Sequence, residues 1–360
     1  MSVRSYQEIL DLIDAVDVVA YATTRNHLGG AVSKLSPYIS RGVVTLSQIR
    51  ERILTRYSKS QAQKFLQELA WREYFQRVWW NKGDAIFSDL RFPRDDWRHS
   101  EVVSAIADAT TGIETIDDTI RILYDTGYMH NHARMWTASI ACNIAGAHWY
   151  NMGRWLYAHL YDGDLASNFL SWQWVVGTSM SKRYTVNQSL INACSTHQQP
   201  YSWLNLDREA TLTMSIPEPL VPSESFTLIT NYPETVVPSV SGEEVCLYTP
   251  WTLNPEWRRE QRSRRILIID PTWFDRFPVS DAVLDFIIRQ GQTVIPELEV
   301  FVGTYAQLPG VDGAAEIFFT LHPTNTNWQG NPDEPAWLFP QVRGYFPSFM
   351  AYWKKVERFQ

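Results

Sequence analysis

The sequence predicts a mainly α-helical chain. A large all-helical domain covers residues 1–200, an irregular connector 201–262, and a small α/β region 263–360. Three observations carry this prediction. Before residue 200, apolar residues recur at spacings of three and four, the period of one helix face. Proline, serine and threonine crowd the stretch that follows, as in SIPEPLVPSESF. Beyond it, short apolar runs flank one helix-period segment in strand–helix–strand order.

Each element follows from local pattern. SQAQKFLQELAWREYFQRVWWNKG, from Ser60, places apolar side chains at 65, 66, 69, 75, 78 and 79, a broad helix face. Ser60 is its predicted N-cap, and Asn81 with Gly83 its predicted stop. Further helices are predicted through YMHNHARMWTASIACNIAGA and GRWLYAHL. Another starts after DGD (162–164), where a turn leaves Asp164 as cap. After the connector, RRILIID (264–270) reads as a buried strand and PVSDAVLDFIIRQG as a helix capped by Ser280. LEVFVG and AEIFFTLHP read as two further strands, and no internal repeat is evident.

Composition bounds the function. Hydrophobic residues make up 45% and charged residues 20%, the balance of a globular protein with a large core. No apolar run approaches the roughly 18 residues of a membrane span, and the acidic, amphipathic N-terminus lacks the apolar stretch of a signal peptide. Cys142, Cys194 and Cys246 lie far apart and are too few for a four-cysteine metal or iron–sulfur site. No metal or membrane partner is expected, and a reducing cytoplasm is. The net charge of −7 is uneven: residues 1–200 hold 20 basic against 19 acidic residues, and 201–360 hold 12 against 20. The acidity belongs to the back, so charge alone neither supports nor excludes DNA. Nine of the 16 tryptophans precede residue 175. Most tryptophans simply supply packing area, so any with another role must be identified by position.

LYDGDLASNFLSWQW (160–174) places Leu165, Asn168, Trp172 and Val175 on one helix face behind two aspartates. A ligand at that helix start would meet carboxylates, an amide and an indole; a capped helix with an aromatic stripe explains the stretch equally well. Elsewhere Asn131, Arg134, Met135, Ala138 and Cys142 share a face, an amide and a guanidinium within an apolar stripe. Glu68, Trp71, Arg72 and Phe75 share another, where a Glu68–Arg72 surface pair is the plain reading. VSKLSPYISRG offers hydroxyls and backbone amides suited to a pyrophosphate.

Together SKLSPYISRG (33–42), ELAWREYF (68–75), MHNHARM (129–135) and DGDLASN…WQW (162–174) resemble the FAD-binding domain of the photolyase/cryptochrome superfamily, over about residues 20–178. The resemblance implies an all-α flavin domain. It assigns Tyr21, Ser33, Leu35 and Ser36 to the dinucleotide's phosphates, with Lys34 beside them and Arg25 as a further counter-charge. Asn131 and Arg134 fall against the flavin, Asp162 near Arg134, Asp164 at the ring's polar edge, and Asn168 at flavin N5. Trp172, Trp149 and Trp97 match an electron-transfer chain that reduces photoexcited FAD from the surface.

Glu68, Trp71, Met135 and Trp174 match the pocket of members that repair cyclobutane pyrimidine dimers. Members that repair (6-4) products carry a histidine where Met135 stands, and the nearby His132 does not supply that pattern. The implied enzyme is a deoxyribodipyrimidine photolyase-like lyase acting on ultraviolet-damaged DNA. Its reduced, excited flavin lends an electron to a flipped-out dimer, Trp71 and Trp174 stack on the bases, and Glu68 holds them as a buried, perturbed carboxyl. Lys182 and Arg183 are the candidate phosphate contacts. The alternative is a cryptochrome-like blue-light photoreceptor that binds FAD, does not repair, and signals to a protein partner. Three features depart from the family. The α/β segment follows the flavin domain where an antenna domain usually precedes it, so no antenna chromophore is implied; SMSKRY follows WQWVVGT; and FLSW stands where many members have two glycines.

Overall fold

The computed structural model describes residues 2–359. It is helix-rich, with one parallel sheet near the C-terminus. The helices are α1 (Tyr6–Asp14), α2 (Val18–Thr24), α3 (Ser36–Ser40), α4 (Leu46–Leu54), α5 (Lys59–Lys82), α6 (Ser104–Ala107), α7 (Glu114–Thr126), α8 (Asn131–Ala138), α9 (Trp149–His159), α10 (Leu165–Val176), α11 (Gln188–Cys194), α12 (Pro271–Arg276), α13 (Asp281–Val294) and α14 (Phe349–Val356). Strands β1 (Val102–Val103) and β2 (Ser223–Glu224) form a short antiparallel pair. No helix among the described residues is long and apolar enough to cross a membrane.

The chain divides into two compact units. The first gathers Met1–Val16, Ser33–Tyr74 and Leu228–Gln360. Its sheet takes β3 (Glu244–Tyr248), β4 (Arg264–Ile269), β5 (Glu299–Val302), β6 (Glu316–Thr320) and β7 (Asn331–Asp333) in the order β5-β4-β3-β6-β7, all parallel. Parallel strands need helical or long crossovers, and α12 and α13 provide the one from β4 to β5. Val245 and Leu247 of β3, Ile266 and Ile268 of β4 and Phe319 of β6 form a common core. The segment read from sequence as irregular connector therefore contains the central strand, β3. Strands β4, β5 and β6 and helix α13 stand where the pattern placed them, and Ser280 is the N-cap residue of α13, without a side-chain capping bond.

Two contacts tie the front of the chain to this unit. Gly42 adopts φ +70°, and a Cβ there would fall 2.4 Å from the Trp251 carbonyl oxygen, so only glycine fits. Glu73 is 1% exposed and receives the Leu338 N–H, the Phe339 N–H at 3.3 Å and the Tyr352 hydroxyl at 2.7 Å. One buried carboxylate thus anchors the segment leading into α14, with charge-assisted bonds offsetting its desolvation.

The second unit, Asp17–Val32 and Phe75–Thr227, holds α2, α6 to α11 and the end of α5. Its closest pairing is α9 against α10, where Gly153 lets the backbone approach Phe169 and Trp172: a Cβ at 153 would lie 3.3 Å from Phe169 Cε1 and 3.5 Å from Trp172 Cδ1. The helix predicted through 128–147 starts at Asn131, capped by His130, and widens into a π-helical turn over Ser139–Ile144. Such a turn breaks the 3.6-residue period on which the prediction rests. Helix α5 starts at Lys59, one residue ahead of the predicted cap Ser60. Ser58 makes the capping bonds, receiving the Gln61 N–H at 3.4 Å while its own N–H donates to Gln61 Oε1 at 3.0 Å.

Candidate functional site

In the second unit, α8 and α10 bring the polar residues of the two sequence stripes together. Asp164 caps α10 by accepting the Ser167 N–H at 2.6 Å, and it also accepts a bond from Gln76 Nε2 at 2.5 Å. Arg134 Nη2 reaches both oxygens of Asp162, at 3.0 and 2.9 Å, while its Nε donates to the Met129 carbonyl. The Asp162 side chain is 3% exposed and that of Arg134 is 23%, so the guanidinium keeps an open side while neutralising a buried acid. Asn168 donates from Nδ2 to the Gly153 carbonyl at 2.9 Å, which fixes its amide. Asn131 is exposed, with Nδ2 3.8 Å from the Met135 sulfur.

A flavin ring edge presents one N–H between two carbonyl oxygens, so it calls for an acceptor flanked by donors. Asp164 is an acceptor, and Arg134 and the amides of Asn131 and Asn168 carry donors, of the kinds such an edge calls for. Ser167 Oγ, beside Asn168, is buried without a hydrogen-bond partner among the described residues, a polar group of the kind a ligand satisfies. These residues fit a flavin. Tyr21 lies on α2 and Arg25 caps its end, with Arg25 Nη1 bonded to the Ala22 carbonyl. In the first unit, Lys34 takes a left-handed backbone (φ +54°), Ser33 Oγ accepts the Leu35 N–H at 3.4 Å, and Ser36 opens α3.

An aromatic path leaves the second unit's helices. Trp172, 2% exposed, packs beside Phe169 at Gly153. The Phe169 ring lies 6.2 Å from that of Trp149, which is fully buried. Trp149 stacks on His148 at 5.6 Å, and His148 meets Trp97 at 4.9 Å. Trp149 and Trp97 therefore lie on one chain of ring contacts through His148, whereas Trp172 meets that chain only as the neighbour of Phe169 one turn along α10, both facing Gly153. Sequence reasoning missed its other members, Phe169 and His148. It also missed Asp89, which accepts the Trp149 Nε1–H at 2.7 Å, and Arg94, whose guanidinium sits 3.9 Å above the Trp97 ring. Burial lowers the His148 pKa, with nearby Arg94 adding to the effect and Asp89 opposing it, so the bridging ring is neutral at pH 7.

The residues matched to a substrate pocket have other neighbours. Glu68 is not the buried carboxyl expected: its side chain is 31% exposed and pairs with Lys64 at 2.8 Å, since the turn before it offers that ammonium. Arg72 donates to Ser40 Oγ at 2.6 Å. Trp71 stacks on Phe349 of α14 with ring centroids 3.8 Å apart and planes at 10°. Trp174 is half-buried against Tyr184, with centroids 5.8 Å apart. Arg183 is held by Asp96 at 2.6 Å, whereas Lys182 is exposed.

Comparison with known proteins points to a flavin-binding family. Residues 65–204 match the family described as the FAD binding domain of DNA photolyase. Over 156 residues the chain is 35% identical to the deoxyribodipyrimidine photo-lyase of Streptomyces griseus, covering 43% of this chain and 34% of that protein. Over 176 residues it is 30% identical to Cryptochrome DASH of Gloeobacter violaceus, covering 46% and 35%. The crystal structure of a class III photolyase from Agrobacterium tumefaciens matches with a TM-score of 0.44 and 26% identity, over 48% of this chain and 38% of that one. The chain spans about a third of the length of these curated relatives.

Proposed function

We propose that this chain, whose residues 65–204 are an FAD-binding domain of the DNA photolyase family, is a light-dependent flavoprotein that splits cyclobutane pyrimidine dimers in ultraviolet-damaged DNA. FAD is its cofactor; bound and reduced, it supplies the photoexcited electron the reaction needs. The observation that carries the reading is the ring series Phe169–Trp149–His148–Trp97, with Trp172 one turn from Phe169 on α10, in the same unit that bears Asn131, Arg134, Asp162 and Asp164. Indoles packed in this way, in the unit that bears flavin-type donors, suit photoreduction of the cofactor and have no use in dark flavin chemistry.

Each side chain then has a physical task. Asp162 holds Arg134 in place, Asp164 would accept a hydrogen bond from the flavin, and Asn168, fixed by the Gly153 carbonyl, would help to hold it. On the substrate side, Met135 and Trp174 supply apolar and stacking surface for a flipped base, whose extrusion costs a few kcal/mol. Glu68 hydrogen-bonds the damaged bases and must first leave Lys64. Breaking an exposed pair of that kind costs at most about 1 kcal/mol. Lys182, exposed near the end of α10, suits a phosphate. Met135, where a histidine marks (6-4) repair, supports cyclobutane dimers as the lesion.

One observation favours the second reading, a cryptochrome-type photoreceptor. Phe349 already covers an indole face that repair would give to a base. The deciding experiment illuminates the reduced protein with blue light in the presence of ultraviolet-treated oligothymidine. Loss of dimers is expected; intact dimers with FAD still photoreducible would leave the photoreceptor.

A further inference from the structure

We infer that Asp89 and Arg94 decide where an electron hole comes to rest on the aromatic path, holding it on Trp149 and keeping it off Trp97. This rests on the electron-relay reading above. The two indoles are joined through one neutral imidazole, His148, yet their surroundings carry opposite charge.

Trp149 is fully buried, and its N–H points at a carboxylate oxygen of Asp89 2.7 Å away. The other Asp89 oxygen accepts the Arg94 backbone N–H at 3.1 Å, which pins the carboxylate. An anion on the indole N–H stabilises positive charge developing on that ring, most strongly where water is excluded. Removing an electron also makes an indole N–H acidic. When Trp149 gives up one electron, a photoexcited oxidised flavin being the oxidant, its N–H bond breaks and an O–H bond forms on Asp89. What remains is a neutral indolyl radical and a neutral carboxylic acid, so the pair has lost the single negative charge that the electron carried.

Trp97 has neither advantage. The Arg94 guanidinium lies over its face, an arrangement that favours the electron-rich ring and opposes its oxidation. The Arg94 side chain is only 8% exposed, so solvent screens it weakly. Asp96 bonds Arg94 at 2.8 and 3.1 Å, but it is shared with Arg183 at 2.6 Å; two guanidiniums against one carboxylate leave the cluster positive. The Trp97 Nε1 atom is buried with no hydrogen-bond partner among the described residues, so no base there can take its proton. The hole is drawn inward to the site that has one. Asp89 is thus the proton acceptor and Arg94 a positioning residue acting through Trp97.

Flash photolysis of the purified full chain with its oxidised flavin tests this, with tryptophan radicals followed by transient absorption and electron paramagnetic resonance. The wild type should give a long-lived deprotonated tryptophan radical. Asp89→Asn should lower its yield about tenfold or more, the effect of losing one charge-assisted hydrogen bond, and Asp89→Glu should restore it. Ultraviolet resonance Raman spectra of the unilluminated proteins should show a weakened hydrogen bond from the indole N–H in Asp89→Asn alone, separating this effect from misfolding. Arg94→Met should let aqueous ascorbate quench the radical faster, as the hole spreads to the more exposed Trp97, whereas Arg94→Lys should not. Unchanged yield and lifetime in Asp89→Asn would overturn the inference while leaving the relay intact. Absence of any tryptophan radical in the wild type would overturn the relay reading and the inference with it.

Discussion

Trp71 and Phe349 lie face to face, ring centroids 3.8 Å apart, although 278 positions separate them in sequence. Tyr74 meets the edges of both rings at 5.8 and 5.9 Å, so α5 and α14 share one aromatic cluster within the first unit. In the repair reading Trp71 is a stacking surface for DNA; in this arrangement protein already occupies one of its faces.

Phe349→Ala should therefore act in two directions. Phe349 is 4% exposed, and its truncation should lower stability by about 3 kcal/mol. The same change should expose Trp71 and tighten binding of ultraviolet-treated oligothymidine. Urea unfolding and a fluorescence titration would measure both; unchanged affinity would show that this face of Trp71 is not used for DNA.

Glu73→Ala should be among the most damaging single changes in the first unit. It strands the Leu338 and Phe339 amides and the Tyr352 hydroxyl in a buried setting. A loss of about 3–5 kcal/mol is expected. Glu73→Gln, which keeps an acceptor oxygen, should cost less. Chemical denaturation curves would rank the two.

Arg134→Ala leaves the carboxylate of Asp162 buried and unpaired. Flavin affinity should fall at least about tenfold, with Arg134→Lys intermediate because an ammonium lacks the planar fork. Titration of flavin-depleted protein, followed by the flavin's visible absorbance, checks this.

Glu68→Ala should slow dimer repair while leaving flavin binding intact, and Trp172→Phe should impair photoreduction of the oxidised protein without abolishing repair by chemically reduced protein. Paired assays of bound flavin, photoreduction and dimer loss would separate these effects. Loss of flavin in Glu68→Ala would move Glu68 from the substrate to the cofactor.

Acid should destabilise the chain through histidines held neutral, among them His130, His159 and His322. Burial pushes the pKa of His130 down to about 4, with His132 and Arg134 adding repulsion, and burial pushes that of His322 down to about 3. Unfolded, both titrate near about 6.5. Below that value the unfolded chain takes up protons that the folded chain refuses. Stability is therefore full above about pH 6.5 and is lost as pH falls toward 4 and then 3, by up to about 1.4 kcal/mol per pH unit for each histidine. Urea midpoints across this range should fall less steeply for His130→Asn, which retains an acceptor for the His132 N–H.

The features legible in the sequence were those whose partners lie within a turn or two. Asp164 before Leu165 announced a helix start, and Asn131 and Arg134 stood out as polar groups in an apolar stripe. β3 was not legible because EVCLY is five residues long and buried on nearly every position, so neither alternation nor length marks it. Ser58 and Ser60 are both competent caps, and only the backbone geometry chooses between them. Asp89 lies 60 positions from Trp149 and Glu73 more than 260 from its partners, and no local spacing encodes bonds across such separations. The burial expected of Glu68 failed for the same reason. Exposure is set by what packs over a helix, and its period reveals only which residues face the same way.

The first unit takes its parts from positions 1–16, 33–74 and 228–360, and this imposes an order on synthesis. At about 5–20 residues per second, α1, α4 and the front of α5 leave the ribosome roughly ten seconds or more before the strands of their own unit. During that wait the apolar residues Ile9, Ile49, Phe65 and Leu66, all buried in the finished fold, lack any cover that residues 228–360 give them. Meanwhile the stretch from 75 to 227 can condense without them. Nascent chains halted near residue 230 should then carry a protease-resistant second unit and a front end that depends on chaperones.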